Sequence, residues 1–379
     1  MTEVKIILWV CLALVVWTYF GYWLMLKVLS VLFTREVRKD EKYPSVSIVI
    51  TAYNEERRIA EKIENTLALT YPAGKLEILV VSDASTDRTE EIVRSFTHRG
   101  VKLLVIPERH GKHYGQGRGI QMAASDIVIL TDATTFLDPD GAEKIIRNFA
   151  DPRVGCVSSE DRMRTSESNA AGESMYVRYE MSLRRLESAV GSLVGVSGSF
   201  WAVRKHLCDE WIDNMSADFY LPNIAAMRGY RTVLEPEALG YYDVVRDPEK
   251  EFIRKVRTVV HGYEVLFRFA AVLNPFRYGF YALEMFSHKL CRWLVPLFLM
   301  IAFVANILVI DQGKFYQLSL AAQAVFYLLA FAAYRIRNLQ KLLLFKVPFF
   351  FVMVNLSILV AWYKYLTGQE YVVWDATKR

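Results

Sequence analysis

Ser45–Asp87 reads SVSIVITAYNEERRIAEKIENTLALTYPAGKLEILVVSDASTD, two apolar runs that each end in a polar, acid-bearing turn. Val46–Ile50 leads into Thr51-Ala52-Tyr53-Asn54-Glu55-Glu56, and Leu76–Val81 leads into Ser82-Asp83-Ala84-Ser85-Thr86-Asp87. Between them Ile59, Ile63 and Leu67 recur at helical spacing, and Tyr71-Pro72-Ala73-Gly74 closes the helix. This is a βαβ unit with carboxylates at the carboxyl ends of parallel strands, where open α/β sheets bind ligands. Asp, Asn, Ser and Thr at that place suit a ribose, a base edge and a metal-bound diphosphate.

Outward from this unit the chain turns apolar. Of 379 residues 53% are hydrophobic, concentrated at the two ends. Ile6–Phe33 carries only one charge, Lys27, and is long enough to cross roughly 30 Å of hydrocarbon. It lacks a basic leader and a small-residue cleavage site, so it reads as an anchor. Arg35, Arg38 and Lys39 follow at once, which places the next segment in the cytosol. Glu249–Phe269 interleaves Phe252, Ile253, Val256, Val259 and Val260 with Lys250, Arg254, Lys255, Arg257 and Arg268, the pattern of a helix in the membrane interface. Pro275–Lys289 reads as a second such helix. Leu290–Ile310, Tyr316–Ala333 and Val347–Leu366 are spans of about 20 residues, with Arg335, Arg337, Lys341 and Lys346 on the cytosolic side. Strict alternation then leaves Thr367–Arg379 outside. The expected organisation is an anchor over 1–34, a cytosolic α/β domain over 35–248, interfacial helices over 249–289, and membrane helices with a tail over 290–379. The net charge of +5 is modest and gives no reason to expect nucleic acid. Cys11, Cys156, Cys208 and Cys291 are scattered, which suits unpaired thiols and not a disulfide frame or a zinc site.

Further positions carry chemistry. Asp126–Leu130 is a third strand ending in Thr131-Asp132-Ala133-Thr134-Thr135, which sets one Asp where a divalent cation on a diphosphate would lie. Asp138-Pro139-Asp140-Gly141 reads as a helix start. Glu108–Gly119 reads as a glycine-rich basic loop whose Lys112 can reach a nucleotide. His110 and His113, with no third ligand, read as solvated. Asp218 heads a helical stretch; it is a general base for an acceptor hydroxyl or only that helix's N-cap. Arg254 and Arg257 share a helix face, suited to a leaving diphosphate or to lipid headgroups.

Taken in order, these motifs resemble the inverting family 2 glycosyltransferases, in the membrane-anchored branch that includes polysaccharide synthases, over essentially the whole chain. The resemblance implies a GT-A-like (Rossmann-like), mostly parallel sheet domain with an N-terminal transmembrane helix, interfacial amphipathic helices and C-terminal transmembrane helices. Thr51, Ala52, Tyr53, Asn54 and Glu55 match the opening nucleotide turn, Asp83 and Ser85 the base and ribose turn, and Lys112 the lysine loop. Asp132 matches the metal motif and Asp218 the catalytic-base motif. Arg254-Lys255-Val256-Arg257-Thr258 stands where processive members carry Gln-x-x-Arg-Trp. Thr134 stands where many relatives have a second Asp, which leaves the metal to Asp132 and the diphosphate. Ala217 replaces an acid before the base. Thr258 replaces a Trp that supports the acceptor sugar, which counts against long-chain processivity.

The implied activity is transfer of a sugar from a nucleotide-sugar, a UDP-sugar, to a hydroxyl of a lipid-linked or growing glycan, with Mg²⁺ or Mn²⁺ at Asp132. Asp218 would be the base, and Arg257, with Arg254, would steady the leaving diphosphate. The implied partners are membrane lipids and a second copy of the chain. Two alternatives stand beside this one: transfer to polyprenyl phosphate, and a catalytically weak scaffold or translocation subunit.

Overall fold

The computed structural model describes residues 1–163, 171–243 and 248–369; the tail expected outside the membrane lies, from Glu370 on, outside the described residues. Eight strands form one sheet: β1 Val46–Ala52, β2 Leu76–Asp83, β3 Val101–Ile106, β4 Ile127–Asp132, β5 Phe136–Leu137, β6 Val154–Met163, β7 Phe200–Arg204 and β8 Arg231–Tyr242. Their spatial order is β3-β2-β1-β4-β7-β6-β8-β5. The β3-β2-β1-β4 half is parallel, and β7 runs antiparallel to both β4 and β6. A parallel half needs cover on both faces, and Val46, Ile48, Val49 and Ile50 of β1 are all buried.

One face of the sheet packs on helix Ile59–Leu67 through Ile59 and Ile63. The other packs on helix Lys112–Met122 and on Ala217–Met227. The segment expected as a glycine-rich loop is therefore a helix from Lys112 on. Its glycines serve contact with the sheet: a Cβ on Gly119 would overlap the Val49 side chain. The sequence shows small residues without showing what they approach, so a loop and a tightly docked helix look alike.

Among the described residues four helices are long and apolar enough to cross a membrane: Thr2–Leu32, Phe280–Leu308, Lys314–Arg335 and Leu343–Leu366. On that ground the chain is a membrane protein. Thr2–Leu32 packs its first half on the second of these through Leu8, Cys11, Ala302 and Ala305. Its second half meets helix Ala171–Val190, with Tyr22 and Leu26 against Leu183 and Val190. The apolar helix expected to begin at Leu290 begins at Phe280, after Gly279 at φ +54°. Glu284 and His288 hid that start from a hydropathy reading, because both are buried against protein.

Helix Pro248–Arg268 is amphipathic as expected, but much of its apolar face lies in the protein core, with Val256, Val260, Tyr263 and Leu266 buried. Tyr263 stacks on Trp362 with ring centroids 4.2 Å apart. The Trp362 indole N–H donates to the Trp293 carbonyl at 3.0 Å. These contacts dock the sheet domain on two of the apolar helices. Ile253 and Phe267 stay exposed. All four cysteines are free and buried.

Candidate functional site

The carboxyl ends of β2, β1 and β4 lie side by side: Thr51 is the register partner of Val81 on one side and of Asp132 on the other. The turns leaving these strands enclose a cleft of about 480 Å³, lined by Thr51, Ala52, Tyr53, Glu55, Asp83, Arg109, Gly111, Lys112, Asp132, Ala133 and Thr134. Seven of the nine residues expected to bind a donor line it. The other two, Asn54 and Ser85, stand behind it as braces.

Asn54 is at φ +53° and Ala84 at φ +56°, the two non-glycine residues with positive φ among those described. Each such residue costs about 1–3 kcal/mol and persists only where the surroundings over-determine it. Here the two turns fix each other. Asn54 Oδ1 accepts the Thr86 backbone N–H at 2.8 Å, Ser85 Oγ accepts that of Asn54 at 3.2 Å, and Thr89 Oγ1 accepts that of Glu55 at 2.8 Å.

Asp83 is 4% exposed. Its carboxylate accepts the backbone N–H of His110 at 2.9 Å and of Gly111 at 2.7 Å. Charge-assisted bonds of this kind are roughly twice as strong as neutral ones, and here they set the start of the Lys112 helix over the cleft. The Lys112 ammonium then lies 2.5 Å from Asp132 Oδ1 and donates to the Gly198 carbonyl at 3.0 Å. The Arg109 guanidinium stacks on the Tyr53 ring, 3.8 Å from its centroid.

Asp218 faces the same Gly198. Its helix, Ala217–Met227, starts after Ser216, so Asp218 lies in the first turn and is not the N-cap. Ser216 Oγ donates to Asp218 Oδ1 at 2.7 Å, and a Cβ on Gly198 would come within 2.9 Å of Oδ2. That position must be glycine for the carboxylate to sit where it does. Gly198 is thus the hinge point of the site, with Lys112 on its carbonyl and Asp218 against its Cα.

Arg254 and Arg257 are not among the residues lining the cleft. Arg254 makes two bonds to Glu251 of its own helix, at 2.7 and 2.8 Å, and Arg257 is half-buried.

Three residues escaped the sequence reading. Lys62 is fully buried under the β4 turn, its ammonium donating to Thr131 Oγ1 at 3.1 Å and to the Thr135 carbonyl at 2.5 Å. Burial pulls it down to about 7, and Asp132 opposes that fall. His113, expected in solvent, has Nδ1 3.3 Å from Gln116 Oε1 and meets the His261 ring edge-to-face at 6.2 Å. Enclosure pushes its imidazole down to about 4, against the pull of the Asp218 carboxylate. Asp161 accepts from Ser197 Oγ at 2.5 Å and Ser199 Oγ at 2.9 Å, on either side of Gly198. Burial raises its carboxyl, and the Arg184 guanidinium is the leading influence against the rise. A helical i, i+3 relation from Ile59 to Lys62 was the one signal that placed Lys62 on a sheet-facing side.

The family model for "Glycosyl transferase family 2" matches residues 47–211, which hold β1, β2, β4 and the whole cleft. Residues 47–211 are a family 2 glycosyl transferase domain. The poly-beta-1,6-N-acetyl-D-glucosamine synthase of Staphylococcus aureus (strain COL) is 29% identical over 271 residues, 66% of this chain and 65% of that protein. The protein of the same name from Staphylococcus epidermidis is 26% identical over 240 residues, 61% of this chain and 57% of its own length. This chain therefore spans about two thirds or less of the length of these relatives. A mannosyltransferase from Pyrobaculum calidifontis, solved with GDP-Man and Mn²⁺, superposes with a TM-score of 0.73 over 96% of this chain and 100% of its own, at 22% identity. That likeness extends the shared fold from the transferase domain to the apolar helices.

Proposed function

We propose that this protein is a membrane-bound, inverting glycosyltransferase. It moves a sugar from a nucleotide-sugar, a UDP-sugar, to a hydroxyl of a lipid-linked or growing glycan, in polysaccharide or glycolipid synthesis. One observation carries the reading: a cleft lined by Asp83, Lys112 and Asp132 meets the Asp218 carboxylate at Gly198.

Thr51, Ala52, Tyr53, Glu55 and Asp83 hold the nucleoside, Asn54 and Ser85 brace the turns behind it, and Lys112 and Arg109 face the diphosphate with positive charge. The donor set fits a divalent cation of the Mg²⁺ or Mn²⁺ kind only as a shared ion. Among the described residues no group of three or more His, Cys, Asp or Glu is placed to hold a metal, so Asp132 would hold the ion together with phosphate oxygens and water. When bound, such an ion neutralises charge on the departing diphosphate.

A sugar hydroxyl is barely acidic in water, so a carboxylate must take its proton as the new bond forms. Asp218 takes that proton while the acceptor oxygen attacks the anomeric carbon from the face opposite the nucleotide. The C–O bond to the diphosphate breaks in the same step, and the electron pair leaves with the nucleoside diphosphate beside Lys112. Arg257 is assigned a second contact to that leaving group, whereas Arg254 is already paired with Glu251. The basic residues Arg35, Arg38, Lys39, Arg335, Arg337, Lys341 and Lys346 support a cytosolic transferase domain. The relatives' synthase name and the solved neighbour's nucleotide-sugar and Mn²⁺ support a glycan acceptor, a nucleotide-sugar donor and a divalent ion.

Release of nucleoside diphosphate by the purified chain in nanodiscs, screened over UDP- and GDP-sugars with Mn²⁺ or Mg²⁺ and lipid extract as acceptor, tests this reading. Metal-dependent release with one donor, lost in Asp132→Ala, supports it. Folded protein that binds no nucleotide-sugar overturns it.

A further inference from the structure

Where the transferase domain meets the apolar helices, a cluster of charge is enclosed that the reaction above does not use. Helix Ala171–Val190 brings Glu180, Arg184 and Glu187, and the helix Phe280–Leu308 brings Glu284, His288, Lys289 and Arg292. The acids are largely satisfied. His288 stands between two of them, with Nε2 2.9 Å from Glu180 Oε1 and Nδ1 2.7 Å from Glu187 Oε1. Arg292 Nη1 donates to Glu180 Oε2 at 2.7 Å, and the Tyr22 hydroxyl donates to Glu187 Oε1 at 2.8 Å. The Ser192 backbone N–H bonds both oxygens of Glu284, at 3.1 and 3.2 Å. Of these oxygens only Glu187 Oε2 is buried without a partner.

Arg292 is held by Glu180, whereas Arg184 and Lys289 are less well met. Arg184 Nη1 is buried with no hydrogen bond, and its Nε comes only within 3.4 Å of Glu180 Oε1, which His288 already engages. A buried donor left unmet costs about 1–3 kcal/mol, more when charged. Lys289 makes no ion pair or hydrogen bond among the described residues; its ammonium lies over the Phe219 ring, 5.3 Å from the centroid. Lys289 lies close to the proposed base, and Arg184 acts on its surroundings. Phe219 follows Asp218, and a Cβ on Gly195 would be 3.7 Å from both Lys289 Nζ and the Asp218 carbonyl oxygen. Arg184 influences Asp161, whose serine partners flank Gly198.

We propose that Lys289 and Arg184 bind the phosphate of a lipid-phosphate-linked sugar acceptor, whose terminal hydroxyl then reaches Asp218. A guanidinium fork and an ammonium with open donor positions match a phosphate. Their place near the polar start of a long apolar helix favours a phosphate carried on a lipid over one free in solution. This inference rests on the glycosyl-transfer reading and names the acceptor's chemical class.

Binding to the full chain in phosphatidylcholine nanodiscs tests it, with farnesyl phosphate, farnesol and inorganic phosphate as probes. Farnesyl phosphate is expected to bind, about tenfold more weakly to Lys289→Met, with recovery in Lys289→Arg and a further loss in Arg184→Gln. Farnesol binding is expected to be weak and indifferent to these changes. Unchanged farnesyl phosphate binding in folded Lys289→Met, or an equal loss with farnesol, overturns the proposal. Inorganic phosphate bound as tightly, with the same dependence on Lys289, overturns the lipid source. Calorimetry of nucleotide-sugar binding on the same samples separates the two readings. Intact donor binding without a response to farnesyl phosphate sinks only this inference, and the reverse pattern sinks only the donor assignment.

Discussion

In the part of the cleft formed by the turns after β1 and β2, polar groups are bonded to one another across the two turns; where the sheet domain meets the apolar helices, Arg184 and Lys289 are less well matched. The turns after β1 and β2 thus hold two backbone residues at positive φ through bonds from Asn54, Ser85 and Thr89. A site built this way loses little freedom on binding, which favours affinity. The acceptor half has groups whose hydrogen bonds a ligand must complete. On the proposed reading, the donor turn is a finished cradle, whereas the acceptor side is completed by its substrate.

Four substitutions, one of them read by a pH scan, would break or sharpen this contrast. Asp218→Asn should lower turnover by about 10²–10⁴-fold and leave nucleotide-sugar affinity by calorimetry unchanged; a parallel fall in donor affinity would mean that the two halves are not separable. Asp132→Ala should weaken metal-dependent donor binding by about tenfold or more, because among the described residues no group of three or more acids, histidines or cysteines is placed to hold the ion without it.

The third test concerns what lies under the cradle. Lys62 is held near 7 in the folded chain against 10.5 ordinarily. Between those values the unfolded chain holds a proton that the native chain has shed, so this lysine makes stability rise with pH from about 7 to about 10.5. Thermal unfolding of Lys62→Met should lack that component of the slope, on the order of a few kcal/mol over the window. Identical pH profiles would mean that the ammonium is accommodated at no cost. The smallest effect belongs to Ala84→Gly, which should stabilise the fold by about 0.5–1 kcal/mol, since glycine adopts φ +56° freely; destabilisation would show that the alanine methyl has a packing role.

The contrast also explains what the sequence disclosed. Three of the parallel strands were legible because each is a continuous apolar run ending in a polar turn, and Thr51–Glu55, Asp83 and Asp132 follow those strand ends by register, whereas Lys112 was legible only from its glycine-rich, basic setting. Period and position sufficed there. The helical state of Lys112–Met122 was not legible, because glycine in a helix gains its meaning only from the Val49 side chain it touches. Likewise Lys62, His113 and Asp161 owe their setting to residues far away in sequence. The start of the second apolar helix at Phe280 was hidden for a related reason: Glu284, His288 and Lys289 read as surface charge until helix Ala171–Val190 is placed beside them. Arg254 looked available for a diphosphate, but Glu251, three residues earlier on the same face, engages it.

The anomeric configuration of the first product tests the central claim most directly. Asp218 acting as base beside the donor cradle requires one in-line displacement, so an α-linked nucleotide-sugar should give a β-linked product, read from the anomeric proton coupling by NMR. A product that keeps the α configuration would contradict a single displacement and remove Asp218 from its proposed role.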